Sequence, residues 1–226
     1  MQKVFACIFL SLSSLCTSNV LHAATLQVNV QDTQGAPLAN AVVTLQGPPG
    51  QPVLDLARMD QIKQQYVPQV LAVHTGTPVS FPNKDNIRHQ VYSFSPAKRF
   101  ELRLYEGTPS KPELFDKPGL VVLGCNIHDW MLGYIYVTDD PWFAVTDAKG
   151  AATFADLPAG HYKATLWHPQ APEQQAQPGG ELDVPQGRAA HVFSLAVQPV
   201  PGDTPQPPAP SAFGNAFKKA AGEAAQ

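Results

Sequence analysis

Cysteine is scarce in this 226-residue chain, and the positions of its three cysteines carry more information than their number. Cys7 and Cys16 fall in an N-terminal apolar segment, which leaves Cys125 alone in the rest of the chain. Basic clusters are also missing. With a net charge of −3 and no Lys/Arg stripe there is no electrostatic footprint for nucleic acid. No nucleophile elbow, phosphate loop or zincin helix occurs, and no carboxylate pair is marked out by spacing, so the common hydrolytic and phosphoryl-transfer chemistries lose their sequence signatures. The aspartates Asp139, Asp140, Asp147 and Asp156 do not form a calcium-loop pattern and are read as turn-formers.

Long apolar runs are limited to one place. Lys3 followed by Val4 to Leu21, broken by serines, has the charged and apolar regions of a secretory signal, with cleavage expected near Ala23 or Ala24. It is too short and too serine-rich for a good membrane span, and Leu15 before Cys16 argues against lipoprotein processing. Residues 1–24 are therefore assigned as a signal peptide, with a periplasmic or otherwise exported product and no stable membrane insertion after cleavage. In an oxidising compartment most retained cysteines sit in disulfides. A lone exported thiol needs another reason to persist, and a metal supplies one.

What is present is β-structure. Hydrophobic residues make up 44% of the chain, enough for a sizeable core, and the 23 prolines concentrate in loops and in a C-terminal tail. Leu26 to Val30 alternates cleanly, and Asp32 to Gly35 turns it toward Ala41 to Leu45 as an expected hairpin, stopped by Gly47-Pro48-Pro49-Gly50. Strands are also expected at 70–73, 79–81, 90–94, 100–105, 120–123 and 134–138, then at 152–154, 162–167, 181–184 and 189–197. Residues 54–65 are the one modest helical candidate in the body. Val145 to Ala151 repeats the V-x-D-x-x-G-A pattern of Val30 to Ala36, each predicting an Asp-capped turn with Gly at positive φ. Residues 199–226 read as a Pro-rich disordered tail.

Within this β pattern, Cys125-Asn126-Ile127-His128-Asp129-Trp130-Met131 places a thiolate, an imidazole and a thioether at C-x2-H-x2-M spacing, and His89 lies upstream. A soft thiolate and thioether favour copper, especially Cu(I), while two imidazoles also suit Cu(II). A trigonal His2Cys set with a distant axial Met is an electron-transfer site. The expected metal ligands are His89, Cys125 and His128 in the equatorial positions and Met131 in the axial one, holding one copper ion that cycles between Cu(I) and Cu(II). His74, His161 and His191 are read as solvated. His168, in Trp167-His168-Pro169, is left between an interface role and a second metal site for which no further ligands are evident.

Gly76 to Asn83, His89 to Ser93, Lys117-Pro118-Gly119, the Cys125 loop and Gly133 to Val137 together resemble the cupredoxins, and the short ligand loop resembles the amicyanin type. Residues 26–47 and 145–168 resemble the halves of a carboxypeptidase-regulatory-like, transthyretin-like sandwich. The combination resembles exported proteins labelled methylamine-utilisation or plastocyanin-like. These resemblances imply an all-β chain, with a cupredoxin-like Greek-key sandwich (51–141) inserted in or joined to a second, prealbumin-like sandwich (25–50 plus 142–198). They also imply that His128 is the ligand nearest solvent, that Asn83 stiffens a ligand loop, and that Ile127, Trp130 and Pro82 form an apolar docking patch around His128. The function expected is single-electron carriage rather than catalysis, with a redox protein such as a c-type cytochrome or periplasmic dehydrogenase as partner. A copper chaperone or store and a metal-free structural module are the alternatives.

Overall fold

Alternating burial shows how the first strand is built. In β1 (Ala23–Asp32), Ala24, Leu26, Val28 and Val30 are buried while their neighbours face outward, the period-2 signature of a sheet with one wet face. Strand β1 belongs to a computed structural model that describes residues 23–52 and 54–198; most of the expected signal peptide and all of the Pro-rich tail lie outside the described residues. Ala23 and Ala24, at the expected cleavage junction, are already part of β1, and Ala24 is buried in the core.

The strands run in chain order from β1 through β2 (Val42–Gln46), β3 (Ala57–Arg58), β4 (Asp60–Ile62), β5 (Gln65–Val67), β6 (Val70–His74), β7 (Thr77–Ser80), β8 (His89–Ser95) and β9 (Lys98–Tyr105). They continue with β10 (Glu113–Phe115), β11 (Gly119–Leu123), β12 (Gly133–Thr138), β13 (Trp142–Val145), β14 (Ala151–Pro158), β15 (Gly160–Trp167), β16 (Gln177–Val184) and β17 (Gly187–Leu195). Among the described residues the chain is all-β apart from one 3-10 turn at Pro172–Gln174.

Two sheets, ordered β14-β1-β17 and β13-β2-β15-β16, enclose a core that includes Leu26, Val28, Val43, Leu45, Phe154, Tyr162, Leu166 and Phe193. The expected β1–β2 hairpin does not form. β1 pairs with β14 and β17, while β2 pairs with β13 and β15. A local turn sets where a strand reverses; the hydrophobic face each strand must bury selects its partner, and here the two strands face each other across the core. Both repeated turns form as expected. Asp32 Oδ1 accepts from the Gln34 and Ala36 N–H groups, and Asp147 Oδ1 from those of Lys149 and Ala151, with Gly35 at φ 90° and Gly150 at φ 72°.

Strands β3 to β12, lying in the chain between β2 and β13, enclose a second core that includes Met59, Tyr66, Val79, Phe81, Val91, Phe115, Leu123, Cys125 and Met131. The expected helix at 54–65 is absent. Met59, between β3 and β4, is buried, as are the central residues Gln61 of β4 and Tyr66 of β5, and these two strands form a small hairpin whose turn residues Lys63 and Gln64 sit at positive φ (54° and 60°).

The sheet ordered β11-β12-β6 is buried on both faces, and parity separates them. Val73, Val121, Leu123, Ile135 and Val137 enter the second core, whereas Val70, Ala72, Leu120, Val122, Tyr134 and Tyr136 pack in a third cluster with Val42, Phe143, Val145 and Trp167. This third cluster joins the two groups of sheets. Trp167 lies at its centre, 5.6 Å and 5.7 Å between ring centroids from Tyr134 and Tyr136. His74, expected at the surface, is buried here edge-on to Phe143 at 4.7 Å, because the end of β6 is covered by β13. His161 is exposed and paired with Asp183, while His191 is half-buried against Phe193.

Candidate metal centre

The C-x2-H-x2-M spacing acts through the backbone. The His128 N–H donates to the Cys125 carbonyl at 3.4 Å and the Met131 N–H to the His128 carbonyl at 2.9 Å, so two successive i to i+3 turns bring every third residue round to the same side. This loop joins β11 to β12, the two strands whose sheet is packed on both faces. His89 opens β8, which is laced to the residue before the thiol: Tyr92 and Gly124 exchange both backbone hydrogen bonds at 3.0 and 3.1 Å. Gly124 suits that contact, since a Cβ there would lie 2.7 Å from the Tyr92 ring and displace it. The Tyr66 hydroxyl donates to the Gly124 carbonyl at 3.0 Å, and burial, with the nearby Cys125, pushes its phenol up and keeps it a neutral donor.

The result is a buried group of three. One ligand atom from each of His89, Cys125 and His128 lies within 4.8 Å of the others. Cys125 Sγ is 3.6 Å from His128 Nδ1, and the two imidazole centroids are 4.9 Å apart. Cys125 is a free thiol, and His89 is fully buried. His89 Nε2 lies 2.7 Å from Asp85 Oδ2, and its Nδ1 is buried with no hydrogen-bond partner. A buried imidazole nitrogen without a partner is costly, and a metal ion fits that vacancy in hydrogen bonding. Burial, then the neighbouring His89, holds His128 below the usual histidine range, so it is a neutral imidazole with a lone pair to give. Two imidazoles beside a thiol are a donor set suited to copper.

Of the four expected ligands, His89, Cys125 and His128 are drawn into this group. Met131 is buried in the same core as Cys125 and follows in the same double turn. His128 retains 9% exposure whereas His89 has none, and Ile127 beside it is half exposed. Pro82 is buried and adds nothing to the outer surface of a docking patch. Asn83 bonds the His89 loop rather than the Cys125 loop: its Nδ2 donates to the Ile87 and Tyr105 carbonyls at 2.8 and 2.9 Å, and its Oδ1 accepts from the Asp85 N–H. Gln90 donates to Glu101 across the β8–β9 ladder.

The open question at His168 is answered by its bonds. Nε2–H donates to the Ala39 carbonyl at 3.0 Å and Nδ1 accepts from the Gln170 N–H at 3.1 Å, which leaves no lone pair for a metal. His168 instead lines a cavity of about 480 Å³, together with Leu38, Asn40, Trp130 and Tyr134. Asp85 and Tyr66 were not legible as parts of the site. A carboxylate four residues before a ligand histidine matches no spacing template; the general need of a ligating imidazole for a partner on its second nitrogen is the one clue that points to it.

No family model matches this chain, and none of the curated proteins does. Solved structures do. A copper-containing nitrite reductase from Thermus scotoductus SA-01 is 25% identical over 39% of this chain and 25% of its own, with a TM-score of 0.35. A purple cupredoxin from Nitrosopumilus maritimus is 21% identical over 36% of this chain and 99% of its own, at 0.33. An oxidized mutant of amicyanin is 19% identical over 42% of this chain and 99% of its own, at 0.34. The chain therefore spans about a quarter of the nitrite reductase it matches. It is an all-β chain whose neighbours in structure are cupredoxins and which carries a His-Cys-His group able to hold a metal ion. These likenesses are partial, and the functional reading rests on the site's own geometry. No described helix is long and apolar enough to cross a membrane.

Proposed function

We propose that this protein is an exported one-electron carrier in which His89, Cys125 and His128, joined by Met131 as a fourth donor, would hold a single copper ion. The observation that carries the reading is the buried, unpartnered Nδ1 of His89 in a group with a buried free thiol and a neutral imidazole. A bound copper ion would take up and release one electron there. The protein's part is to keep the donors fixed and dry: the double turn holds Cys125, His128 and Met131, the Tyr92–Gly124 bridge fixes the distance to β8, and burial of His89 excludes water from one side. A site held rigid by packing needs little rearrangement between oxidation states.

We take the role of this centre to be carriage rather than catalysis. We assign residues 51–141 as the copper domain and residues 25–50 plus 142–198 as a prealbumin-like sandwich that presents it to a redox protein such as a c-type cytochrome or a periplasmic dehydrogenase. The half-exposed Ile127 beside His128 suits a small, transient docking contact of the size such encounters use. Cyclic voltammetry of the copper-loaded protein tests this. A reversible one-electron wave that vanishes in Cys125→Ser is expected. Tight copper binding without reversible exchange would identify a store or chaperone, and failure to bind copper would leave a structural module.

A further inference from the structure

The partner of His89 is itself held from three sides. Asp85 Oδ1 accepts from the Lys63 backbone N–H at 2.6 Å, and Oδ2 accepts from the Gln64 N–H at 2.8 Å and lies 2.7 Å from His89 Nε2. The two backbone donors belong to the β4–β5 turn, where Lys63 and Gln64 both occupy positive φ although neither is Gly, Asn or Asp. Left-handed backbone is strained for a residue with a Cβ, and strain of this kind persists where the surroundings over-determine it. Here the strained turn presents two successive N–H groups to one carboxylate. On its other flank, Asn83 Oδ1 accepts from the Asp85 N–H at 3.0 Å, and Asn83 Nδ2 bonds the Ile87 carbonyl, so the loop between Asp85 and His89 is also fixed.

We propose that Asp85 is the positioning residue of the metal centre: as a carboxylate clamped by the β4–β5 turn, it locks His89 in the tautomer with hydrogen on Nε2 and Nδ1 free, and it lowers the reduction potential of the bound copper. The part concerning the potential rests on the copper reading above. The tautomer part does not. A carboxylate only accepts hydrogen bonds, so the proton between the two groups resides on His89 Nε2, and the unpartnered Nδ1 keeps its lone pair, in a residue grouped with Cys125 and His128. A negative charge on the far side of the imidazole makes Nδ1 a stronger donor, which stabilises Cu(II) more than Cu(I). Outer partners of this kind orient the ligand and raise its basicity, and their loss costs about 10–100-fold in affinity or activity.

Two variants separate charge from position. Asp85→Asn keeps an oxygen acceptor and removes the charge; Asp85→Ala removes both. In the metal-free protein, nitrogen NMR of His89 is expected to show a slowly exchanging Nε2–H in wild type and in Asp85→Asn, and mixed or fast-exchanging tautomers in Asp85→Ala. In the copper-loaded protein, Asp85→Asn is expected to weaken Cu(II) binding about tenfold relative to Cu(I), which raises the potential by about 59 mV for a one-electron couple. An unchanged potential in an Asp85→Asn protein that keeps its visible absorption overturns the electrostatic role. A wild-type His89 with its proton on Nδ1 overturns the tautomer lock. A wild type that stays colourless with copper refutes the copper reading and with it the effect on the potential, while the metal-free spectrum still decides the tautomer.

Discussion

Trp167→Ala probes the contact that ties the metal-bearing sheet to the rest of the protein. Trp167 is 1% exposed at the end of β15, its ring lies against Tyr134 and Tyr136 of β12, and its Nε1–H donates to the Gln174 carbonyl at 2.9 Å. Truncating a buried Trp to Ala costs about 3–5 kcal/mol, and the two aromatic contacts belong to that figure. For a chain of this size each kcal/mol moves Tm by roughly 2–4 °C, so the expected fall is about 6–20 °C. Trp167→Phe keeps an aromatic ring and loses the hydrogen bond, and it should cost less, about 1–2 kcal/mol. Because β12 begins two residues after Met131, the Ala variant should also loosen the 125–131 loop and weaken metal retention, whereas the Phe variant should not. Urea unfolding followed by circular dichroism, with Tm by calorimetry, reads these values. A loss below 1 kcal/mol for Trp167→Ala would show that the two groups of sheets do not share the core described here.

The repeated turns give an internal comparison. Gly35 and Gly150 both sit at positive φ, but a Cβ at Gly35 meets nothing within 4 Å, while one at Gly150 would lie 2.5 Å from the Val30 carbonyl oxygen. Gly35→Ala should therefore cost about 1 kcal/mol and Gly150→Ala about 1–3 kcal/mol more through overpacking; equal losses in denaturant titrations would contradict the assignment. Acid should destabilise the metal-free protein before its carboxylates titrate. Burial lowers His74, His128 and His168 below their unfolded value of about 6.5, so the unfolded chain binds protons first and stability falls as pH drops through that value toward the lowered folded ones. The exposed His161, raised chiefly by its bond to Asp183, works in the opposite direction. Urea midpoints at pH 7.5 and 5.5 check the sign, and a higher midpoint at pH 5.5 would reverse it.

The strands were legible because alternation is a local property, and the two Asp-Gly turns because their chemistry is contained in seven residues. Pairing was not. Leu26 and Val43 both demand a core, but nothing between them says whether they are neighbours in a sheet or face each other across it. The small β4–β5 hairpin escaped notice because its turn uses Lys63 and Gln64 where Asn or Gly would signal positive φ. The burial of His74 is not legible locally because the ring that covers it, Phe143, comes from a strand on the far side of the metal-bearing segment. At the site, Cys125, His128 and Met131 were readable from spacing, since successive turns convert that spacing into proximity. His89 was found by pattern, but the bridge that fixes its distance and the carboxylate that orients it depend on packing among β4, β5, β8 and β11.

The central claim, that His89, Cys125 and His128 form a copper site, is tested most directly by titrating the metal-free protein with Cu(II) and recording visible absorption and bound metal together. Intense charge-transfer absorption that saturates at one copper per chain and is lost in Cys125→Ser is the expected result. Copper bound without colour, or colour that persists in Cys125→Ser, would contradict it.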